Sequence, residues 1–328
     1  MPTPLPLTIA YNAYDRNAAL SDGRVTPDGV STTITHVPLG ELFAQMVTEP
    51  AYDVSELSLS SYTVARARGD HRLIGIPVFL SRAFRHNSIY VRADSDVARP
   101  ADLKGKRIGV PMYQQTAGVW ARGMLQDDHG LELDSVTWCA GALATMSGEE
   151  RQPLNLPDRV RLERLPDGTG LAQALADGTI DALITPMVPP EFREEDTPLR
   201  RLFPDYPQRD RDYYARTGLF PLMHLVVLRT ELAEAHPWLA PSLQQAFTSA
   251  RDLAVADLAD VSYLRHTLPF VAGLLEEQLE VFGTDPWPYG FDANRPALEV
   301  FLRYMDEQGL LERPLAPEDL FVPSTVRT

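Results

Sequence analysis

A chain of 328 residues, 44% hydrophobic and 23% charged, has the composition of a globular protein and the length of two ordinary domains. Its formal charge of −15 argues against nucleic acid or an anionic membrane surface as partner. With one cysteine, Cys139, neither an intrachain disulfide nor a thiolate metal cluster can form, and in Thr137-Trp138-Cys139 that residue reads as a small buried side chain.

The opening Met1-Pro2-Thr3-Pro4-Leu5-Pro6 has no basic segment and no long apolar run, so the expectation is no signal peptide and a cytoplasmic location. No stretch is long enough to cross a bilayer. Residues 7–11 read as a strand, 12–17 as a polar bend and 32–37 as a second, alternating strand. A helix over 39–46 follows, with Leu42, Phe43 and Met46 inward. Residues 52–62 run from a strand through a serine-rich turn into a helix, and 73–79 form another buried strand. The 81–86 segment leads into a strand at 88–92.

Lys104-Gly105-Lys106-Arg107-Ile108-Gly109-Val110-Pro111 gives a polar turn and a short buried strand, after which Tyr113, Gln114 and Thr116 open a helix to about Leu125. The first N–H groups of such a helix lack intrahelical partners and are available to an anion. A strand ending at a helix N-terminus is also where open α/β sheets place ligands. Further on, 171–176 read as helix and 178–184 as a turn plus strand. Residues 186–214, rich in proline and charge, read as an irregular covering loop. A return strand at 221–228 precedes helices near 238–261, 274–282 and 296–308.

This alternation predicts an α/β protein with a mostly parallel sheet in each of two lobes. Strands at 88–92 and 224–228 that cross between lobes would make the first lobe discontinuous (1–88 with 225–328) and the second 89–224. A hinge cleft between them is the architecture of periplasmic-type binding proteins.

Familiar catalytic motifs are missing. There is no His-x-x-x-His, Cys-x-x-Cys, Gly-x-Ser-x-Gly or Walker-type loop, and Gly168-Thr169-Gly170 lacks the third glycine of a dinucleotide loop. Three features remain. Glu56 sits where a strand gives way to Ser58, Ser60 and Ser61; partial desolvation there suits a general acid, and a purely structural carboxylate is the alternative. Ser81-Arg82-Ala83-Phe84-Arg85-His86 brings two arginines and a histidine ahead of a strand that must pass the hinge, either to bind carboxylates or as a solvated basic loop. His224 lies in an apolar strand between Met223 and Leu225, as a core histidine or a functional one.

Together these segments resemble the 4,5-dihydroxyphthalate decarboxylase family, whose fold is of the type II periplasmic-binding-protein class. The resemblance is carried by Asp53-Val54-Ser55-Glu56-Leu57-Ser58-Leu59-Ser60-Ser61-Tyr62, by Ile76-Pro77-Val78-Phe79 with Phe84-Arg85-His86, and by Lys104–Pro111 with Tyr113-Gln114 and Thr116-Ala117. Arg201-Leu202-Phe203-Pro204-Asp205-Tyr206, Phe220-Pro221-Leu222-Met223-His224, His236-Pro237-Trp238 and Asp285-Pro286-Trp287-Pro288-Tyr289-Gly290 extend it, with Asn294-Arg295 and Glu307-Gln308-Gly309-Leu310 after them. It departs at Cys139-Ala140-Gly141-Ala142-Leu143 and Ser147-Gly148-Glu149-Glu150. It also departs at Thr185-Pro186-Met187, where the family often has a basic residue, so a weaker hold on a second carboxylate is expected.

The resemblance implies a decarboxylase of a hydroxylated aromatic acid that uses neither metal nor cofactor. Glu56, His224 or His86 would protonate the ring carbon. Arg82 and Arg85 would orient carboxylates, and Ser58, Ser60, Tyr113, Gln114 and Thr116 would hold the remaining polar edge. The expected partners are a small anionic aromatic substrate and a second copy in a homodimer, without nucleic acid or membrane. The rivals are a cytoplasmic binding protein for a small organic acid without turnover, and another tailoring enzyme on the same scaffold.

Overall fold

A computed structural model describes all residues except Met1, Pro2, Thr145, Asp167, Glu194, Glu195, Val261, Arg265, Arg327 and Thr328. In chain order it begins with β1 (Leu5–Tyr11), α1 (Asp15–Ser21), β2 (Val30–His36), α2 (Leu39–Thr48), β3 (Val54–Ser58), α3 (Leu59–Ala67) and β4 (Leu73–Arg82). The next group is β5 (Ile89–Arg92), β6 (Arg107–Val110), α4 (Thr116–His129), β7 (Thr137–Ala140), β8 (Leu162–Arg164), α5 (Leu171–Ala176), β9 (Ala182–Ile184), β10 (Leu199–Arg201) and α6 (Tyr206–Thr217). Then come β11 (Leu222–Arg229), α7 (Thr230–Ala235), α8 (Leu239–Ala259), α9 (Val271–Phe282) and α10 (Arg295–Glu307).

The strands form two sheets, ordered β2-β1-β3-β11-β4 and β10-β5-β9-β6-β7-β8. Each is mostly parallel, as expected, with a single strand running against the others. β1 pairs in parallel with β2 and β3, but β11 re-enters from the opposite end and lies antiparallel between β3 and β4. In the second sheet β6, β7, β8 and β9 are parallel neighbours, while β5 runs antiparallel to β9 and β10. The chain changes sheet across residues 83–88 and 202–221. The strand that carries His224 therefore belongs wholly to the first sheet.

β3 is buried at every position because it is central, with β1 on one side and β11 on the other. α2 turns Leu42, Phe43 and Met46 inward, as its periodicity predicts. Two segments depart from the sequence expectation. The presumed bend at 12–17 contains the start of α1, where the Asn17 side chain accepts the Tyr14 N–H. The presumed covering loop contributes edge strand β10 and helix α6, because Pro207 lies in the first turn, where a missing N–H costs nothing, and Gly218 ends the helix in the left-handed region at φ 67°.

The lobes are tied together by packing as well as by the crossings. On α4 a β-carbon at Gly123 would lie 2.3 Å from the Tyr304 ring of α10, so only glycine permits this approach. The Trp120 indole N–H on the same helix donates to the Leu222 carbonyl of the first sheet at 2.8 Å. Among the described residues no helix is long and apolar enough to cross a membrane.

Candidate functional site

A cleft of about 980 Å³ lies between the two sheets. The first sheet and its helices supply Asn12, Phe43, Ser58, Met223 and His224, and the second lobe supplies Met112, Thr116, Arg151 and Met187. Arg85, in the crossing segment, lines it too.

The strand registers bring Glu56 and His224 together. Glu56 faces Val226 across the β3–β11 ladder, and His224 faces Ser58, two positions along on the same face. Such diagonal neighbours are within reach of long side chains. His224 Nδ1 lies 2.7 Å from Glu56 Oε1. The Tyr14 hydroxyl donates to the same oxygen at 2.8 Å, and the Asn12 N–H donates to Oε2 at 3.0 Å. Both donors follow the C-terminal end of β1, so the cluster sits at the carboxyl edge of the parallel strands. A carboxylate only accepts, which fixes Nδ1 as the protonated ring nitrogen facing it. Burial, reinforced by the Glu56 carboxylate, pushes the Tyr14 phenol well above its ordinary pKa and keeps it a donor. Glu56 is fully buried and does not line the cleft, whereas His224 does, and its Nε2 has no hydrogen-bond partner among the described residues. The His224 ring also meets Phe43 edge-on, centroids 4.8 Å apart.

Ser58, Ser60 and Thr116 converge, but on one another. Thr116 Oγ1 lies 3.0 Å from Ser58 Oγ and 2.9 Å from Ser60 Oγ, and it accepts the Ser60 N–H at 3.0 Å. This cluster joins the two lobes, and its nearly buried Ser58 and Thr116 border the cleft. Arg85 is half-buried and has no carboxylate partner among the described residues. Its Nη2 lies 2.7 Å from Met223 Sδ, its Nε is unsatisfied, and burial pulls the guanidinium down to about 10.

Four expected site residues are elsewhere. His86 is buried against Phe203 and Tyr213, and its Nδ1 is held 2.7 Å from Asp210. It borders a separate depression of about 430 Å³, in which Arg216 and Asp128 pair with each other at 2.7 Å. Arg82 is turned away from the cleft toward the Asn294 side chain and the Pro288 carbonyl, and burial lowers it to about 9. Tyr113 is fully buried and donates its hydroxyl to the Gln308 carbonyl at 3.2 Å, above the guanidinium of Arg122. Gln114 is buried, and its amide donates to the Gln152 carbonyl at 3.0 Å.

The turn between β6 and α4 does cradle an anion, but the chain supplies it. The Tyr113 and Gln114 N–H groups donate to the Glu150 carboxylate, the latter at 3.1 Å. Burial nevertheless raises the pKa of Glu150.

Sequence reasoning passed over Tyr14, Asn12, Glu150 and Arg151. Nothing in the local pattern marks Tyr14 or Asn12, since their roles arise from strand adjacency. Phe43 is correctly read as inward-facing, yet its ring also forms part of the cleft wall. The only available signal for Glu150 and Arg151 is that they occur where the chain departs from the pattern it otherwise follows.

No family model matches the chain. A 4,5-dihydroxyphthalate decarboxylase from Comamonas testosteroni is 41% identical over 324 residues, covering 99% of this chain and 98% of that protein. A 4,5-dihydroxyphthalate decarboxylase from Pseudomonas putida is 43% identical over 210 residues, 64% of this chain and 81% of that protein. Among solved structures, a periplasmic sulfonate-binding protein from Methylobacillus flagellatus aligns with TM-score 0.56 at 16% identity, covering 99% of this chain and 94% of that one. A periplasmic aliphatic sulphonate-binding protein from Escherichia coli gives TM-score 0.51 at 15% identity, over 97% and 92% of the respective chains. The fold is thus the two-lobed type II periplasmic-binding-protein-like fold.

Proposed function

The chain belongs to the 4,5-dihydroxyphthalate decarboxylase family, and from that premise we propose that it decarboxylates a hydroxylated aromatic acid of this kind with His224 as the proton donor. The observation that carries the assignment is the Glu56–His224 pair, in which a buried carboxylate holds one nitrogen of a ring that lines the cleft.

In 4,5-dihydroxyphthalate each carboxylate has a ring hydroxyl para to it. That hydroxyl pushes electron density onto the carbon bearing the carboxylate. His224 Nε2 delivers a proton to this carbon. The bond to the carboxylate then breaks, its electron pair returns to the ring, aromaticity is restored and CO2 leaves. One proton is taken up per CO2 released, and His224 regains it from solvent. Glu56 touches no substrate. It is a positioning residue that fixes the imidazole, with Tyr14 and the Asn12 N–H holding Glu56 in turn. Arg85, bonded to the residue before His224 and lacking a carboxylate partner among the described residues, would hold the departing carboxylate out of the ring plane. The electron sink is the substrate's own hydroxylated ring, so the reaction as drawn calls for no metal or cofactor.

A millionfold acceleration corresponds to about 8 kcal/mol. A positioned general acid contributes about 10²–10⁴-fold, so orientation of the ring in the cleft must provide much of the rest.

Incubating the EDTA-dialysed protein with 4,5-dihydroxyphthalate and following CO2 and the dihydroxybenzoate product tests this. Stoichiometric release is expected. Thermal stabilisation by the acid without CO2 would identify a binding protein instead, and activity lost on dialysis and restored by a metal would overturn the metal-free step. Cell fractionation and size-exclusion chromatography check the remaining expectations, a cytoplasmic location and a homodimer.

A further inference from the structure

We propose that Arg151 is the specificity-determining residue that seats the carboxylate remaining on the ring, and that Glu150 is the positioning residue that aims it. The inference rests on the decarboxylase reading and assigns the same cleft to vicinal diacids in preference to monoacids.

Arg151 lines the cleft and is half-buried. Its guanidinium stands 5.2 Å from the centroid of the Phe43 ring, and among the described residues its one side-chain hydrogen bond, to Ser61 Oγ, is long at 3.4 Å. No carboxylate lies within ion-pair distance of it among the described residues, whereas the half-buried Arg68 has Glu312 and the exposed Arg303 has Asp127. Burial disfavours its charge and lowers it to about 10, a cost that an incoming carboxylate relieves. The neighbouring Glu150 favours the Arg151 charge from a distance but is not its contact partner: its oxygens accept the Tyr113 and Gln114 N–H groups instead. With Glu150 filling the backbone cradle, an incoming anion is left with the two arginines.

Their placement separates their roles. Arg85 bonds to Met223, next to His224, and so lies beside the proton donor. Arg151 and His224 both stand against the Phe43 ring, so the cation and the proton donor line the same cleft beside one aromatic side chain, 5.2 and 4.8 Å from its centroid. An aromatic ring resting against Phe43 with two adjacent carboxylates would offer one to each arginine. The cation thus comes from a loop rather than from the segment after β9, where Pro186 and Met187 present apolar side chains to the cleft.

Calorimetric titration with phthalate and benzoate, which lack the ring hydroxyls and are not turned over, tests the seat directly. The wild-type protein should bind phthalate at least about tenfold more tightly than benzoate, as expected for one added charge-assisted contact. Arg151→Ala should abolish that preference while leaving benzoate affinity within about twofold of wild type. Arg151→Gln, which keeps the side-chain stem over Phe43, gives the same reading should the alanine variant fail to fold. Glu150→Gln should reduce the preference, and with 4,5-dihydroxyphthalate it should raise KM more than it lowers kcat. A phthalate preference absent from the wild type, or unchanged in the Arg151 variants, overturns the proposal. CO2 release together with an unchanged preference sinks the seat and spares the decarboxylase reading. An Arg151-dependent preference without CO2 release does the reverse.

Discussion

Glu56 Oε1 lies 2.7 Å from His224 Nδ1, although the two residues are 168 positions apart in the chain. Three donors converge on this buried carboxylate, so removing its charge should be felt at the ring it orients. Glu56→Gln is expected to lower kcat at least tenfold, about 1.4 kcal/mol, with KM little changed and the pH profile of kcat displaced. Tyr14→Phe removes one hydrogen bond, roughly 0.5–1.5 kcal/mol, and should give a smaller loss in the same direction. Steady-state CO2 release decides both, and wild-type kcat with an unmoved profile would remove Glu56 from the role.

For the proton donor itself the effect should be larger. His224→Asn keeps a polar side chain in β11 but cannot protonate carbon, so kcat should fall by about 10²–10⁴-fold. The melting temperature should shift only modestly, since the ring lies at the cleft wall rather than deep in the core. Retention of more than about a tenth of the wild-type rate would point to another acid.

Gly148 adopts φ 78°, and a β-carbon there would lie 2.4 Å from the Gly141 carbonyl carbon and 2.6 Å from the Ala142 nitrogen. Both are backbone atoms that cannot swing aside. Gly148→Ala should cost about 1–3 kcal/mol and shift the loop that carries Glu150 and Arg151. Titration should then show phthalate binding weakened far more than benzoate binding. Equal weakening of the two would mean that the loop does not set the diacid preference.

Burial raises the pKa of Glu150, so in the folded protein its carboxyl takes up a proton more readily than in the unfolded chain. The associated stability is present below the reference value of 4.5 and is lost as pH rises through the higher folded value. Against Glu150→Gln, which has no such titration, the wild type should therefore lose relative melting temperature as pH rises from about 4.5 toward neutrality. Thermal denaturation of both proteins across that range measures the difference, and a flat difference contradicts the assignment.

The strands and helices of the first sheet could largely be read from residue order, because hydrophobic periodicity is a local signal. Cys139 is buried as its apolar neighbours suggest, and Leu42, Phe43 and Met46 face inward as their spacing requires. The sense of the ladders was less accessible. Antiparallel β11 and β5 look like any other apolar strand in sequence, since direction is set by where the chain re-enters a sheet. α6 was hidden for a different reason: proline near a helix start resembles proline in a loop until the turn after it is seen.

The same boundary runs through the site. The sequence by itself determined the fold class, the family pattern, and that Glu56, Arg85 and His224 stand apart from their surroundings. Only the tertiary structure decided that Glu56 backs His224, that Arg82, His86, Tyr113 and Gln114 serve neighbours outside the cleft, and that Glu150 fills the cradle at the start of α4. A side chain's chemical type is written in the chain, but its hydrogen-bond partner depends on strand register and on segments distant in order that folding brings within 3 Å of each other.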